Sequence, residues 1–424
     1  MRRFIAVSFC LGAAAAPTPV PAQTAPLSAG ARAILEDVKA LAADAMGGRA
    51  IGTPGADSAA AHIARRFQRA GLQLSAAGWF QPFTVAPDAP VATHAGAGGA
   101  VGRNVIGIVP GRDRDLRNET VVVGAHYDHL GLGGFGSLDP DSTGIVHNGA
   151  DDNASGVAAL IRIAGKIAAD PPSRTVVFIA FSGEELGLLG STWYVHHPVY
   201  PIDRTVAMLN LDMVGRLRSR RLLVFGAATA KEFRPLLDSL NWHAGFDLRT
   251  QGDGYSPSDQ SAFYAAGLPV LHFFTDLHTD YHRTTDDWEK INAEGLVEVA
   301  DFAAGAVRAL ADRPTPLTVV QLPHTAQAGP ALGGGYGAYL GTIPDMSDSP
   351  GGVRLQGVRE DSPAERAGLQ ANDIITGIGS RSIPDLDAMA QALRSYQPGD
   401  VVDIYLKRDG ATVKVTATLG DRSE

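Results

Sequence analysis

The chain has 424 residues, of which 45% are hydrophobic and 19% charged, with a formal net charge of -9. That apolar supply is enough for one sizeable core and a second, smaller one, and it argues against a long disordered tract. The acidic balance and the lack of a basic cluster speak against nucleic acid as a partner and otherwise indicate only solubility.

Arg2 and Arg3 precede an apolar run over residues 4–16, and Val20-Pro21-Ala22 offers the small residues of a cleavage site. The run is too short to cross a bilayer, so residues 1–22 read as a secretory signal peptide, and no later segment reads as transmembrane. The expected location is therefore exported, periplasmic or secreted. Cys10, the only cysteine, falls inside the run, so the mature chain is expected to have no disulfide, thiolate nucleophile or cysteine metal ligand.

Ser28 predicts the N-cap of a helix reaching about Met46, and a loop rich in glycine follows to Gly55. A second helix is predicted from Asp57 to Ala70, stopped by Gly71. Residues 86–102 read as loop or a weak edge strand. Apolar runs at 121–123, 175–181, 206–211 and 269–274 predict buried strands, and Asn153 to Ala168 has helical spacing. Strands alternating with helices predict an α/β fold with a mixed, largely parallel sheet sandwiched by helices. A catalytic domain over 23–315 is expected to pass through a linker at 316–335, rich in Gly, Ala and Pro, into a small domain at 336–421. In that domain short strands near 352–358, 374–378 and 401–407 surround helices at 363–367 and 385–394.

The polar residues that carry chemistry stand just after predicted strands, where open α/β sheets place their binding sites. His126 and Asp128 follow one strand, Glu184 and Glu185 another, and Asp212 ends a third. Imidazole suits zinc, and carboxylates bind or bridge cations. Two zinc ions about 3.5–4 Å apart, bridged by a carboxylate, activate one water, and a further carboxylate must stay off the metals to take its proton. Adjacent Glu184 and Glu185 suit a division into base and ligand. A lone Glu pair is more often a solvated loop feature; its place between Ser182-Gly183 and Gly187, directly after a buried strand, reverses that balance.

Five segments occur in order: Ala125-His126-Tyr127-Asp128, Asn148 to Gly156, Phe181 to Gly187, Asn210-Leu211-Asp212-Met213 and Tyr281 to Asp286. Together with Arg49 to Gly55, they make residues 30–312 resemble the co-catalytic zinc exopeptidases, which include bacterial leucyl aminopeptidases and, more distantly, glutamate carboxypeptidases. The resemblance implies two zinc ions, with His126 and Asp212 on one, Glu185 and His282 on the other, and Asp152 bridging. It implies Glu184 as general base and Tyr281 as donor to the oxyanion. It also implies Asp128 and Asp286 as partners orienting His126 and His282, and a cis peptide at Asp152–Asn153. Ser258-Asp259-Gln260 departs from the Ser-Asp-His of many relatives, a position outside the implied ligand set.

Gly131 to Gly136 spells a dinucleotide fingerprint, but no helix opens after it, so it reads as a loop beside the metal site. Ser155 and Ser182 lack the elbow of a serine hydrolase. His129, His147 and His278 read as ordinary loop histidines. Residues 330–420 resemble the PDZ domains attached to bacterial envelope proteases, through Tyr339-Leu340-Gly341, Ser362-Pro363-Ala364-Glu365 and Asp373-Ile374-Ile375. This resemblance implies a carboxylate loop at Tyr339, Leu340 and Gly341 that receives a peptide C-terminus. The leading expectation is an aminopeptidase acting on peptide substrates. The alternatives are carboxypeptidase or dipeptidase action, glutaminyl cyclisation, or an inactive peptide-binding scaffold led by the PDZ domain.

Overall fold

The β-branched and aromatic runs pair side by side, and their alternating faces give the molecule two apolar layers to cover. The computed structural model describes residues 26–87, 95–139, 142–252, 254, 256–321, 338–344, 351–358, 362–384, 388–389, 392–393 and 396–420. The expected signal peptide with Cys10, and most of the expected linker, lie outside the described residues.

The Ser28 hydroxyl accepts the Ala31 amide and caps α1 (Ala29–Leu41). This helix stops at Leu41, short of Met46, and Gly47 and Gly48 at positive φ then turn the chain before Arg49. Thr53 caps α2 (Pro54–Arg69), with Pro54 in its first turn, so the helix starts earlier than the pattern indicates. β1 (Gln73–Leu74) and β2 (Phe80–Thr84) precede β3 (Val101–Val109). Of the loop or weak edge strand expected over 86–102, residues 86–87 and 95–100 are loop, residues 88–94 lie outside the described residues, and 101–102 open β3, whose own pattern is interrupted by Gly102 and Gly107. Gly107 is needed because a Cβ there would come within 2.6 Å of the Leu72 side chain.

β4 (Thr120–His126) leads to a wide turn at Ala150–Ser155, which contains the cis Asp152–Asn153 peptide, and regular helix begins only at α3 (Gly156–Ala169). There follow β5 (Thr175–Phe181), α4 (Leu189–His196), β6 (Thr205–Leu211), β7 (Arg221–Phe225), α5 (Phe233–Ala244), β8 (Asp247–Thr250), α6 (Gln260–Ala265), β9 (Val270–Phe274) and α7 (Ala293–Ala311). β7, α5, β8 and α7 extend the pattern beyond the strands and helices legible in the sequence.

Among the described residues the strands form one sheet in the order β1-β3-β5-β4-β6-β9-β7-β8, with β2 on β3. The central four, β5-β4-β6-β9, are parallel, and antiparallel pairs flank them. Val121 and Val123 face a core shared with α1, α2, α3 and α7, while Val122 faces the core under α4 and α6. Helices therefore cover both faces. The parallel strands send their carboxyl ends to one edge.

The segment after α7 stays attached to this domain. The amide of Lys231 donates to Thr318 O, and the amide of Val320 donates to Thr229 O. The first residues of the expected linker thus belong structurally to the first domain.

The second domain is an antiparallel sheet of β10 (Thr342–Pro344), β11 (Val353–Val358), β12 (Ile374–Ile378), β13 (Arg381–Ser382), β14 (Val401–Arg408) and β15 (Ala411–Thr418), together with the short helix α8 (Pro363–Arg366). Leu355, Ile375, Ile404 and Leu406 form its buried core. Of the helix expected at 385–394, only residues 388–389 and 392–393 are described, and they are helical.

Candidate metal centre

Three parallel strands deliver their last residues to one place. His126 ends β4, Asp212 follows β6, and Glu184 and Glu185 follow β5. His126 Nδ1 donates to the main-chain oxygen of Asp128 at 3.2 Å, which turns Nε2 inward. There Nε2 lies 3.4 Å from Asp152 Oδ1 and 3.5 Å from Asp212 Oδ1. His282, in the loop after β9, donates from Nδ1 to Gly136 O at 2.8 Å. Its Nε2 lies 3.1 Å from both Asp152 Oδ2 and Glu185 Oε2. Asp152 therefore offers one oxygen to each imidazole.

The supporting shell differs in part from the expected one. Asp128 was expected to orient His126, but the side-chain distance is 3.9 Å and its carboxylate instead receives the amides of Glu184 and Glu185. Asp286 was expected to orient His282; Gly136 O does so. Asp286 Oδ2 accepts the amides of Asp151 and Asp152, and Oδ1 pairs with Arg216 at 3.2 Å. The physical reason is that a buried carboxylate goes where unpaired amides are nearest, and the wide turn at 150–155 leaves two of them. Ser258 Oγ donates to Asp212 Oδ2 at 2.7 Å. Gln260, at the position of the departure, donates to Ser256 O and takes part in a network with Asn210 and His272.

The surrounding histidines are not ordinary loop residues. His129 is 2% exposed, and its Nδ1 lies 2.8 Å from Glu185 Oε1. His278 Nε2 lies 3.0 Å from Asp151 Oδ2, and His147 Nε2 meets the hydroxyl of Ser137 at 2.8 Å. No sequence pattern marks these contacts, because each joins segments far apart in the chain or depends on a loop path. Arg49 is fully buried and donates to the main-chain oxygens of Leu41, Tyr127, Asn148 and Gly149.

Burial raises Glu184 well above the usual carboxylate range, with His126 opposing and nearby Glu185, Asp259 and Asp212 adding to the rise. Burial would also raise Glu185, but His282 and His129 hold it well below that range. Asp212 is likewise held low, burial being outweighed by His126 and the Ser258 bond. Burial works against a charge on either imidazole, yet Asp212 and Glu184 raise His126, and Glu185 and Asp152 raise His282. Positive charge is thus favoured at two points, one on each side of Asp152.

The residues fit a pair of cations by the chemistry of their donors. Imidazole nitrogen and carboxylate oxygen are the ligands zinc takes in the absence of cysteine. Asp212 Oδ1 is buried without a hydrogen-bond partner, the state expected of an atom reserved for a metal. Beside these groups lies a recess. Met213, Phe225, Pro257, Phe274 and Leu277 form its apolar wall, and His126, Asp152, Glu184, Asp212, Tyr281 and His282 its polar side. Tyr281 stacks on His282 with ring centroids 3.8 Å apart. No Lys or Arg lines the recess among the described residues.

In the small domain, the Tyr339 amide donates to Gly420 O at 2.8 Å, so it does not serve a ligand carboxylate as the resemblance implied. Leu340 O accepts the Ala364 amide at 2.7 Å, which ties the loop to α8. Gly341 sits at φ 82°, where a Cβ would come 2.2 Å from that of Ser362.

Residues 104–307 match Peptidase family M28, and residues 338–419 match a PDZ domain. The chain is 31% identical over 216 residues to Aminopeptidase YwaD of Bacillus subtilis, covering 48% of this chain and 44% of that protein. It is 29% identical over 285 residues to Leupeptin-inactivating enzyme 1 of Streptomyces exfoliatus, covering 65% and 54%. The chain thus spans about half the length of these curated relatives. The solved structure of BSAP, a zinc aminopeptidase from Bacillus subtilis, superposes with a TM-score of 0.54 at 19% identity, over 69% of this chain and 99% of that one. At that identity the likeness concerns the fold.

Proposed function

We propose that this chain, which carries a Peptidase family M28 domain followed by a PDZ domain, is an exported zinc aminopeptidase with two metal ions in one site. The observation that carries the reading is the division of Asp152, with Oδ1 toward His126 and Oδ2 toward His282. His126 and Asp212 would hold one zinc, Glu185 and His282 the other, and Asp152 both. When bound, the pair supplies an activated water and polarises the scissile carbonyl.

The protein's own groups do the rest. Glu184, in the recess but outside the ligand set, takes the proton of the attacking water and passes it to the leaving amine. Tyr281 is held protonated, since burial and the nearby carboxylates raise it well above the ordinary phenol value. Its hydroxyl donates to the oxyanion that forms at the scissile carbon. The apolar wall of Met213, Phe225, Phe274 and Leu277 receives the side chain of the first residue.

The recess also bears on which peptide end enters. A carboxypeptidase needs a cationic group for the substrate's terminal carboxylate. The lining carries carboxylates and no Lys or Arg among the described residues, which suits an N-terminal ammonium. A panel of free and N-blocked peptides, followed by mass spectrometry, tests this. Sequential loss of N-terminal residues from the free peptides alone is expected, and trimming of blocked peptides from their C-terminal end overturns it.

The PDZ domain is proposed to take a peptide C-terminus at Leu340 and Gly341 by adding a strand to its sheet. Export is proposed on the expectation of a signal peptide at residues 1–22 and is tested by N-terminal sequencing of the protein recovered outside the cytoplasm.

A further inference from the structure

His129 stands outside the set of ligands and outside the base, yet it contacts Glu185 more closely than any other side chain in the site does. Its Nδ1 lies 2.8 Å from Glu185 Oε1, while the other oxygen, Oε2, faces His282 Nε2 at 3.1 Å. The distance from His129 Nδ1 to Asp152 Oδ2 is 3.9 Å, too long for a hydrogen bond. Its Nε2 is buried with no hydrogen-bond partner. The single N–H of a neutral imidazole therefore belongs on Nδ1, donating to the carboxylate.

The ring has little freedom to leave this position. Gly149, at φ 54°, lies flat against it; a Cβ there would come 2.5 Å from ring carbons Cγ and Cδ2. The edge of His282 meets the ring with centroids 5.8 Å apart and an interplanar angle of 73°. The Glu185 amide meanwhile donates to Asp128 Oδ2 at 3.3 Å. Backbone and one carboxylate oxygen of Glu185 are thus both held, and only Oε2 is left directed toward His282. On the opposite side of Asp152 the equivalent task falls to a hydroxyl, Ser258 Oγ on Asp212 Oδ2 at 2.7 Å. The two halves of the centre are therefore supported by different chemistry.

We infer that His129 is a positioning residue for the metal held by Glu185, Asp152 and His282: its Nδ1–H occupies Glu185 Oε1 and restricts that ligand to one oxygen. The inference rests on the two-zinc reading of the site. Partners of metal-ligating carboxylates typically contribute 10–100-fold to affinity.

The test is zinc titration of metal-free protein against a chelating indicator, for the unmodified chain and for His129→Ala, His129→Asn and Ser258→Ala. Asn places an amide N–H close to where Nδ1 stands but is a poor zinc ligand. His129→Ala is expected to weaken one of the two zinc steps by about 10–100-fold, with His129→Asn within about threefold of the unmodified protein. Ser258→Ala is expected to weaken the other step, and a variant that combines His129→Ala with Ser258→Ala is expected to weaken both. Thermal melting of the metal-free proteins separates these effects from loss of fold, and His129→Asn preserves the packing if the Ala variant does not fold. Unchanged affinities in His129→Ala overturn the inference. Loss of one whole zinc equivalent in both Ala and Asn variants also overturns it, because His129 would then be a ligand. Uptake of fewer than two zinc ions by the unmodified chain instead overturns the two-zinc reading itself.

Discussion

Arg49 Nε donates to the main-chain oxygen of Tyr127 at 2.7 Å, joining the turn after α1 to the residue that follows His126. The same guanidinium reaches Asn148 O and Gly149 O, just before the turn that presents Asp152. One buried side chain thus fastens two loops that carry ligands. Burial lowers its pKa to about 10, with the carboxylates of Asp152 and Asp128 opposing, so it is charged at neutral pH. Arg49→Met leaves these carbonyl acceptors without a donor. Breaking such a buried charged network is expected to cost about 3–5 kcal/mol, read by urea denaturation. Arg49→Lys loses the planar fork and is expected to fall in between.

Glu184→Gln keeps the shape of the side chain and removes the base. Metal content measured by elemental analysis is expected to stay unchanged, while kcat falls by about 10²–10⁴-fold. Activity near that of the unmodified protein would sink the assignment.

Chelation is expected to abolish peptide hydrolysis, and added zinc to restore it. Dialysed active protein is expected to contain two zinc ions per chain. One tightly held zinc without peptide hydrolysis would favour glutaminyl cyclisation.

His272, which is not one of the proposed ligands but lines the recess beside Asp212, gives a pH prediction. Burial lowers it to about 4 from the ordinary 6.5, Asp212 opposing. Its folded value lies below its unfolded value, so the unfolded chain binds the proton first. The stabilisation is full above about pH 6.5 and declines as the pH falls toward 4. At about 1.4 kcal/mol per pH unit the loss approaches about 3 kcal/mol. His272→Gln is expected to flatten that part of the stability profile, measured by denaturant titration at several pH values. An unchanged slope counts against it.

Gly341→Val forces a branched side chain into a position with φ 82° and against Ser362. Binding of C-terminal peptides, followed by fluorescence anisotropy, is expected to fall by at least tenfold. Hydrolysis of a dipeptide by the same variant is expected to stay within about twofold. Undiminished binding would remove the loop from the proposed site.

Much of this protein is determined by local sequence. The apolar run at 175–181 coincides with β5, and the polar residues placed after the strands had to share an edge once those strands ran parallel. His126, Glu184, Glu185 and Asp212 could be gathered from their places after recognisable strands, whereas Asp152 and His282 entered only through the resemblance of their motifs to the zinc exopeptidases. What tertiary structure alone decided is which atom faces which. β3 was obscured by its glycines, which are selected by close packing, Gly102 against Phe83 and Ile51 and Gly107 against Leu72 and Phe67, rather than by strand propensity. Asp286 serves the amides of Asp151 and Asp152, 135 and 134 positions away, and His129 finds Glu185 across 56 positions. Hydrogen bonds of that kind depend on distances of a few tenths of an ångström between segments brought together by the sheet. Spacing along the chain carries no record of them.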